Sequence, residues 1–383
     1  MQKQKILHVI SGLDVGGAET MLYRLLAHMD QGRWNSKVIS LRTAGPIGSK
    51  IRELGIPVDS LDIKDLKSLR IRHLRALRKL VAEFSPDIVQ GWMYHGNLAA
   101  YLGAVLQQKR ASILWNIRQT LPSLKNEKPN TRVVIQLSGV LSKKVDKIIF
   151  NCVTSVSEHG RVGFTDENSL VIPNGVEIKS SDFRLKYREK IRKQLNIRED
   201  EKVLMTVGRY HPKKDQVSFI RASARVANEV DSSRFVMIGR EITLSNPRLN
   251  REVERLGLHT RFQMLGERQD VLELVAAADV FVSSSSWGEG FSNAIVEAMS
   301  IGIPCVATDV GESRRIVGET GMVVSPGDVE MLARKMISVV NLSRDARLSL
   351  GTAARSRVVK RYSIEKVAET YSSLYDSLSS DRK

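Results

Sequence analysis

The stretch "DVFVSSSSWGEGFSNAIVEAMSIGIPCVATD", residues 279–309, holds a short β-rich run, a Gly-flanked turn, an apolar helical run and a second β-rich run. That order is one strand–helix–strand repeat of a parallel α/β sheet. Two glutamates stand eight apart within it, Glu289 in the turn beside Gly288, Gly290 and Phe291, and Glu297 inside the helical run. A carboxylate in such a turn costs desolvation unless a polar group meets it. Ser292 or Asn293 is the expected helix cap, with the amides of Gly290, Phe291 and Ser292 turned toward whatever occupies the positive end.

The same alternation runs through both halves of the chain. "KILHVI", "SKVISL", "DIVQGW", "SILWNI" and "DKIIFN" read as early strands, with helical patterns such as 18–29 and 66–84 between them. A second series follows: "KVLMTVG", "RFVMIG", "RFQMLG", "DVFVSS", "PCVAT" and "GMVVS". The Pro-Asn-Gly turn of "VIPNGVE" and the charged stretch after it put a hinge near residues 175–185. This gives an N-terminal domain over 1–178, a C-terminal domain over 179–360, and a helical stretch over 361–383 able to pack back on the first domain. Both domains read as doubly wound. Ligands of such sheets bind outside the carboxyl ends of the strands, so two facing domains imply a central cleft.

At 383 residues, two domains are the default. The 42% hydrophobic content is that of an ordinary globule, and no apolar run approaches the ~20 residues of a bilayer span. The apolar run of "MQKQKILHVI" is too short for a secretory signal and reads as a first buried strand. Cys152 and Cys305 lie in strand-like apolar surroundings and read as buried free thiols, which favours a reducing cytoplasm. The net charge of +17 points to anionic partners. Its densest run, "KDLKSLRIRHLRALRKL" (64–80), is an amphipathic basic helix whose polar face suits either solvent or an anionic membrane surface. Nothing beside it signals nucleic-acid binding.

Two further stretches could carry chemistry. In "VISGLDVGGAETMLYRLL" a strand gives way to a glycine loop ending at Gly16 and Gly17, where a helix opens, and backbone amides there suit a phosphate. Close packing of the turn is the alternative reading, since the spacing is neither G-x-G-x-x-G nor a P-loop. In "VLMTVGRYHPKKD" a strand ends at Gly208, and Arg209 and Lys214 flank a proline turn, two cations suited to a diphosphate.

"VGGAE", "VIPNGVE", "VGRYHPKKD", "LGERQDVLELVAAADVFVSSS" and "EGFSNAIVEAMSIGIPCVATDVG" resemble, in order, the motifs of the family-4 retaining glycosyltransferases of the GT-B fold. The likeness runs from about residue 5 to about residue 330. It implies two Rossmann-like domains and a nucleotide-diphosphate sugar held mainly by the second. Arg209 and Lys214 would neutralise the leaving diphosphate, and Glu297 would hold the ribose. Glu289, Gly290, Phe291, Ser292 and Asn293 would address the sugar and β-phosphate, Leu265 would border the base, and Gly16 and Gly17 would close on the phosphates. His95, in "GWMYHGN", is the candidate sugar-facing histidine, although Trp92 stands where some relatives carry that histidine. His159, in "SVSEHGRVGF", ranks below it, with a helix-associated surface residue as the equal alternative. Arg118 and Lys125 are candidate acceptor contacts.

No cofactor and no metal is implied, since no Asp-x-Asp stands beside a strand end and no His/Cys cluster has ligand spacing. The resemblance thus implies metal-independent, retaining transfer of a hexose-type sugar from a nucleotide-diphosphate donor, UDP-linked, to a glycan or lipid-linked glycan. Surface polysaccharide (lipopolysaccharide or capsule) is the implied pathway, at the inner face of the cell membrane. The rivals are a GT-B nucleotide-sugar hydrolase or epimerase, and a non-catalytic anion- or nucleic-acid-binding protein of the same fold.

Overall fold

The computed structural model describes residues 3–64, 70–105, 107 and 110–380. It divides into two units, Met1–Gly175 with Ile364–Lys383, and Val176–Ser363. The terminal stretch therefore belongs to the first unit.

The first unit is a seven-stranded parallel sheet in the order β3-β2-β1-β4-β5-β6-β7. Its strands are β1 (Gln4–Ile10), β2 (Trp34–Ser40), β3 (Val58–Ser60), β4 (Ile88–Trp92), β5 (Ser112–Ile117), β6 (Lys147–Phe150) and β7 (Ser169–Val171). β1 shows why the sheet is covered on both faces. Ile6 and Ile10 enter one apolar cluster, while Leu7 and Val9 enter another on the opposite face. A strand buried on both sides must be apolar throughout, as parallel sheets require. Helix Ile364–Ser380 joins the first of these clusters through Ile364, Val367, Tyr371 and Tyr375.

The second unit is a six-stranded parallel sheet, β10-β9-β8-β11-β12-β13. Its strands are β8 (Lys202–Val207), β9 (Ser233–Ile238), β10 (Phe262–Met264), β11 (Val280–Ser283), β12 (Cys305–Thr308) and β13 (Gly321–Val324). The alternation repeats: Val203 and Met205 of β8 face one cluster and Leu204 the other.

The basic helix spans Ile71–Phe84, later than expected, with Leu77 buried and Arg72, Arg75, Arg78 and Lys79 exposed. Leu66 and Leu69 lie outside the described residues. Among the described residues no helix is long and apolar enough to cross a membrane. Cys152 and Cys305 are buried free thiols.

Two histidines are buried in the first unit. His8 accepts the Trp92 indole N–H at Nδ1 (3.2 Å), and His159, buried, so that the surface alternative does not hold, lies 2.7 Å from the Tyr94 hydroxyl. Burial lowers both rings, from 6.5 to about 3 for His8 and to about 4 for His159. The unfolded chain protonates them near 6.5 while the folded unit keeps them neutral, so the unfolded state binds the extra protons and stability falls as pH drops below 6.5. By about pH 5 each ring costs on the order of 2 kcal/mol. Thermal melting should therefore fall between pH 7 and pH 5. A flat profile would contradict the neutral burial of these rings.

Candidate active site

In the second unit the sheet order reverses between β8 and β11, so the loops leaving these neighbouring strands diverge and leave a crevice at their carboxyl ends. The two loops there are Gly208–Asp215 and Ser284–Ser292. They are tied together: Ser284 Oγ donates to the carbonyls of Lys214 and Asp215 (3.0 Å each), and the Ser286 amide donates to Lys213 O (2.8 Å). Asp215 closes the first loop by capping helix Gln216–Glu229, accepting from the Ser218 amide (3.2 Å) and hydroxyl (2.7 Å).

This stitching brings Lys214 to Glu289. Lys214 Nζ donates to both carboxylate oxygens at 2.6 Å, and Ser285 Oγ donates to Oε2 at 2.6 Å. The polar group that meets the Glu289 carboxylate in the structure is thus the chain's own lysine. The Glu289 side chain is 11% exposed and that of Lys214 20%. Burial pushes the Glu289 carboxyl up, but the charge of Lys214 and the hydrogen bonds from Lys214 and Ser285 outweigh it, and the carboxyl titrates below its ordinary value.

Arg209, Lys213 and Lys214 form a positive cluster. Burial lowers Lys213, and the charges of Lys214 and Arg209 lower it further against the opposing pull of Glu289. His211, beside Trp287 at 6.2 Å, is likewise lowered by burial and then by the same three cations. The Arg209 guanidinium is exposed and makes no ion pair among the described residues. Three cations against one carboxylate leave a local excess of positive charge, matched to a dianion.

Helix Asn293–Ser300 begins at the same crevice. Ser292 occupies the cap position, but its hydroxyl makes no cap bond, which corrects the expectation for this residue. The amides of Gly290, Phe291 and Ser292 have no acceptor among the described residues, so they add donors to the cationic cluster. The Phe291 ring is buried, edge-on to Tyr362 at 5.5 Å, so only its backbone reaches the crevice. Asn293 opens the helix and Glu297 lies half-buried within it. Leu265 follows β10, its amide bonded to Met237 O (3.0 Å) and its side chain packed on the core. Gly311 backs the Glu289 turn at φ 58°, where a Cβ would strike the Glu289 carbonyl oxygen.

The first unit has its own reversal, between β1 and β4. Gly16 caps helix Gly17–His28, but the Glu19 carboxylate folds back over that turn, where a Cβ on Gly16 would strike it. Gly16 is thus covered by the Glu19 carboxylate, whereas Gly17 has open space beside it. His95 is half-buried at the start of helix Met93–Val105, lowered by burial, two residues after Met93, which sits at φ 61°. A left-handed methionine at a strand's carboxyl end is backbone strain of the kind that clusters at functional sites.

Trp92 is fully buried. Arg118 is not an acceptor contact: it is buried, donating to Ile172 O (2.7 Å), Asn174 Oδ1 (3.3 Å) and the Tyr371 hydroxyl. Lys125 is exposed on the short helix Leu124–Asn126. Sequence reasoning missed Lys213, Ser285 and Gly311. The Lys-Lys pair and the serine run were visible, but the bonds that join the two loops, such as Lys214 to Glu289, span about seventy residues. Ser285 reaches Glu289 only because the turn folds back four residues on.

Two parallel α/β units, the second with cations and free amides at its reversal point, define the GT-B class of α/β protein. Two family models match in tandem, Glycosyltransferase Family 4 over residues 15–180 and Glycosyl transferases group 1 over residues 187–357. The chain belongs to the family-4 glycosyltransferases of the GT-B fold. It is 26% identical over 295 residues to N-acetyl-alpha-D-glucosaminyl L-malate synthase of Bacillus anthracis, covering 75% of this chain and 73% of the relative. It is 27% identical to UDP-Gal:alpha-D-GlcNAc-diphosphoundecaprenol alpha-1,3-galactosyltransferase of Escherichia coli, over 54% of this chain and 53% of that protein. In fold it is similar to Anabaena HepE, solved in complex with UDP, at TM-score 0.82 and 21% identity, covering 98% of this chain and 100% of HepE.

Proposed function

We propose that this chain is a retaining glycosyltransferase that moves a hexose-type sugar from a UDP-linked donor to a glycan or lipid-linked glycan in surface polysaccharide assembly. The observation that carries this reading is the cationic cluster held around Glu289 at the reversal point of the second sheet. Arg209, Lys213 and Lys214 neutralise the pyrophosphate as the glycosyl bond breaks, and the amides of Gly290, Phe291 and Ser292 bind its oxygens. Such preorganised charge is commonly the largest single contribution to transfer chemistry. Glu289 holds Lys214 in place and faces the positive charge developing on the sugar, while Glu297 receives the ribose hydroxyls. The acceptor attacks from the face the pyrophosphate leaves, which retains the anomeric configuration.

UDP is favoured because the E. coli relative is named for UDP-Gal and the Anabaena fold relative was solved with UDP. A lipid-linked acceptor at the inner face of the membrane fits the exposed cations of helix Ile71–Phe84 and the diphosphoundecaprenol in that relative's name. The lysines and arginine take the place a metal ion holds in other transferases.

The test is transfer from UDP-glucose, UDP-galactose or UDP-N-acetylglucosamine to glycan acceptors, with the product anomer read by NMR. An α-linked product formed at a rate that EDTA changes by less than about twofold supports the reading. Fast UDP release without acceptor favours a hydrolase, and a β-linked product overturns retention.

A further inference from the structure

The loop Ser284–Ser292 consists of serine and glycine apart from Trp287, Glu289 and Phe291. Phe291 is buried, but Trp287 is 44% exposed. The other three tryptophans, Trp34, Trp92 and Trp115, are all buried in the first unit. A single exposed apolar side chain on an open surface needs no explanation. Trp287 differs in its place. It stands two residues before Glu289, with Gly288 at φ 66° turning the chain between them.

Ser286 fixes where the indole lies. Its amide donates to Lys213 O (2.8 Å) and its hydroxyl to Pro212 O (3.4 Å), which brings Trp287 to His211. The two rings meet edge-on, 6.2 Å apart at 66°. His211 Nδ1 accepts from the Lys213 amide (3.2 Å), so the neutral ring carries its proton on Nε2. Burial, and then the charges of Lys213, Arg209 and Lys214, disfavour a second proton. Neither His211 Nε2 nor the Trp287 indole N–H has a partner among the described residues. An apolar ring face with two N–H groups at its rim suits a guest with a C–H face and hydroxyl edges, which is a pyranose. A nucleobase also stacks on indole, and position decides between them. Lys213 and Lys214 mark the pyrophosphate here, and the hexose is bonded to that group directly, whereas the base is a ribose away.

We infer that Trp287 is the platform on which the hexose of the donor stacks, with His211 offering its N–H to a hydroxyl of that sugar. The inference rests on the proposed nucleotide-sugar donor and assigns the side chains that recognise its sugar. The indole face leaves water only when a hexose covers it, so the stabilisation falls on the sugar and not on the nucleotide.

The test is calorimetric titration of the full-length protein, without acceptor, with UDP and with UDP-glucose, UDP-galactose and UDP-N-acetylglucosamine, following indole fluorescence in parallel. Because the other three tryptophans are buried, a change in the solvent-exposed part of the emission reports Trp287. The sugar nucleotide that binds most tightly should shift the emission to the blue beyond the effect of UDP. Trp287→Ala should abolish that shift and weaken this ligand at least about tenfold, or about 1.4 kcal/mol. Trp287→Phe should keep most of the affinity, and His211→Phe should lower it about threefold, the worth of one hydrogen bond. UDP affinity should stay unchanged in all three variants. A UDP affinity that falls in step with that of the sugar nucleotide would put these rings on the nucleotide and overturn the proposal. So would an emission that UDP and all three sugar nucleotides change alike, or a Trp287→Ala variant that binds the sugar nucleotides as the wild type does. A wild type that binds no UDP would instead refute the proposed donor.

Discussion

Lys214→Ala is expected to lower kcat/KM for transfer by roughly 10²–10³-fold, the usual cost of removing one preorganised charge from a leaving group. The lysine does two things, and a second variant separates them. It donates to both oxygens of Glu289, so truncating it strands a carboxylate whose side chain is 11% exposed. Breaking such a pair by removing one partner costs about 3–5 kcal/mol, or forces the carboxyl to take up a proton. Lys214→Ala combined with Glu289→Gln leaves no stranded charge and should recover much of the lost stability, measured by urea unfolding. It should not recover turnover. If activity returned together with stability, Lys214 would be a structural brace and not a leaving-group ligand. Glu289→Gln alone should also cut turnover by orders of magnitude in a folded protein, since the amide neither fixes Lys214 nor faces positive charge as a carboxylate does.

The second large effect falls on stability. Asp279 is 2% exposed at the mouth of β11. Arg188 Nη2 (2.9 Å), Arg192 Nη2 (2.7 Å) and the Val203 amide (2.9 Å) donate to it, with Arg347 at 3.8 Å. Burial pushes this carboxyl up, but Arg188, the Val203 amide, Arg192 and Arg347 together bring it below its ordinary value of 3.8. A depressed carboxyl stabilises the fold above its unfolded pKa and loses that contribution as pH falls through the folded value. At neutral pH the contribution is complete. Asp279→Asn removes the charge and leaves the arginines facing one another, two of them with side chains only 5% and 7% exposed. The expected loss is about 3–5 kcal/mol, read as a lower urea midpoint. A change within about 0.5 kcal/mol would show that the arginines find other partners.

The architecture was legible because both sheets are parallel and buried on two faces. Their inner strands therefore appear in the sequence as unbroken apolar runs, such as "VLMTV". β3 and β7 were not legible, being three-residue edge strands of mixed polarity. The candidate site was legible as residue types in order. Arg209, Lys214 and Glu289 stand out because charge at a strand's carboxyl end is otherwise unexplained.

What the chain order hides is pairing. Lys214 and Glu289 lie 75 residues apart, and nothing local announces that one neutralises the other. Arg118 is plainer still: its loop position suggested a ligand contact, but its main partner, the Tyr371 hydroxyl, lies 253 residues further on. Asp279 shows the same limit. Within "AAADVF" it reads as the polar start of a strand, and only the folded second unit brings three arginines to it.

UDP and UMP, titrated calorimetrically into the same protein preparation, test whether the cations around Glu289 are a pyrophosphate site. The two ligands share the nucleoside and differ by one phosphate. UDP should bind at least about tenfold more tightly, and Lys214→Ala should bring its affinity close to that of UMP. Equal affinities for the two in the unmodified protein, or a UDP affinity indifferent to Lys214, would contradict the assignment.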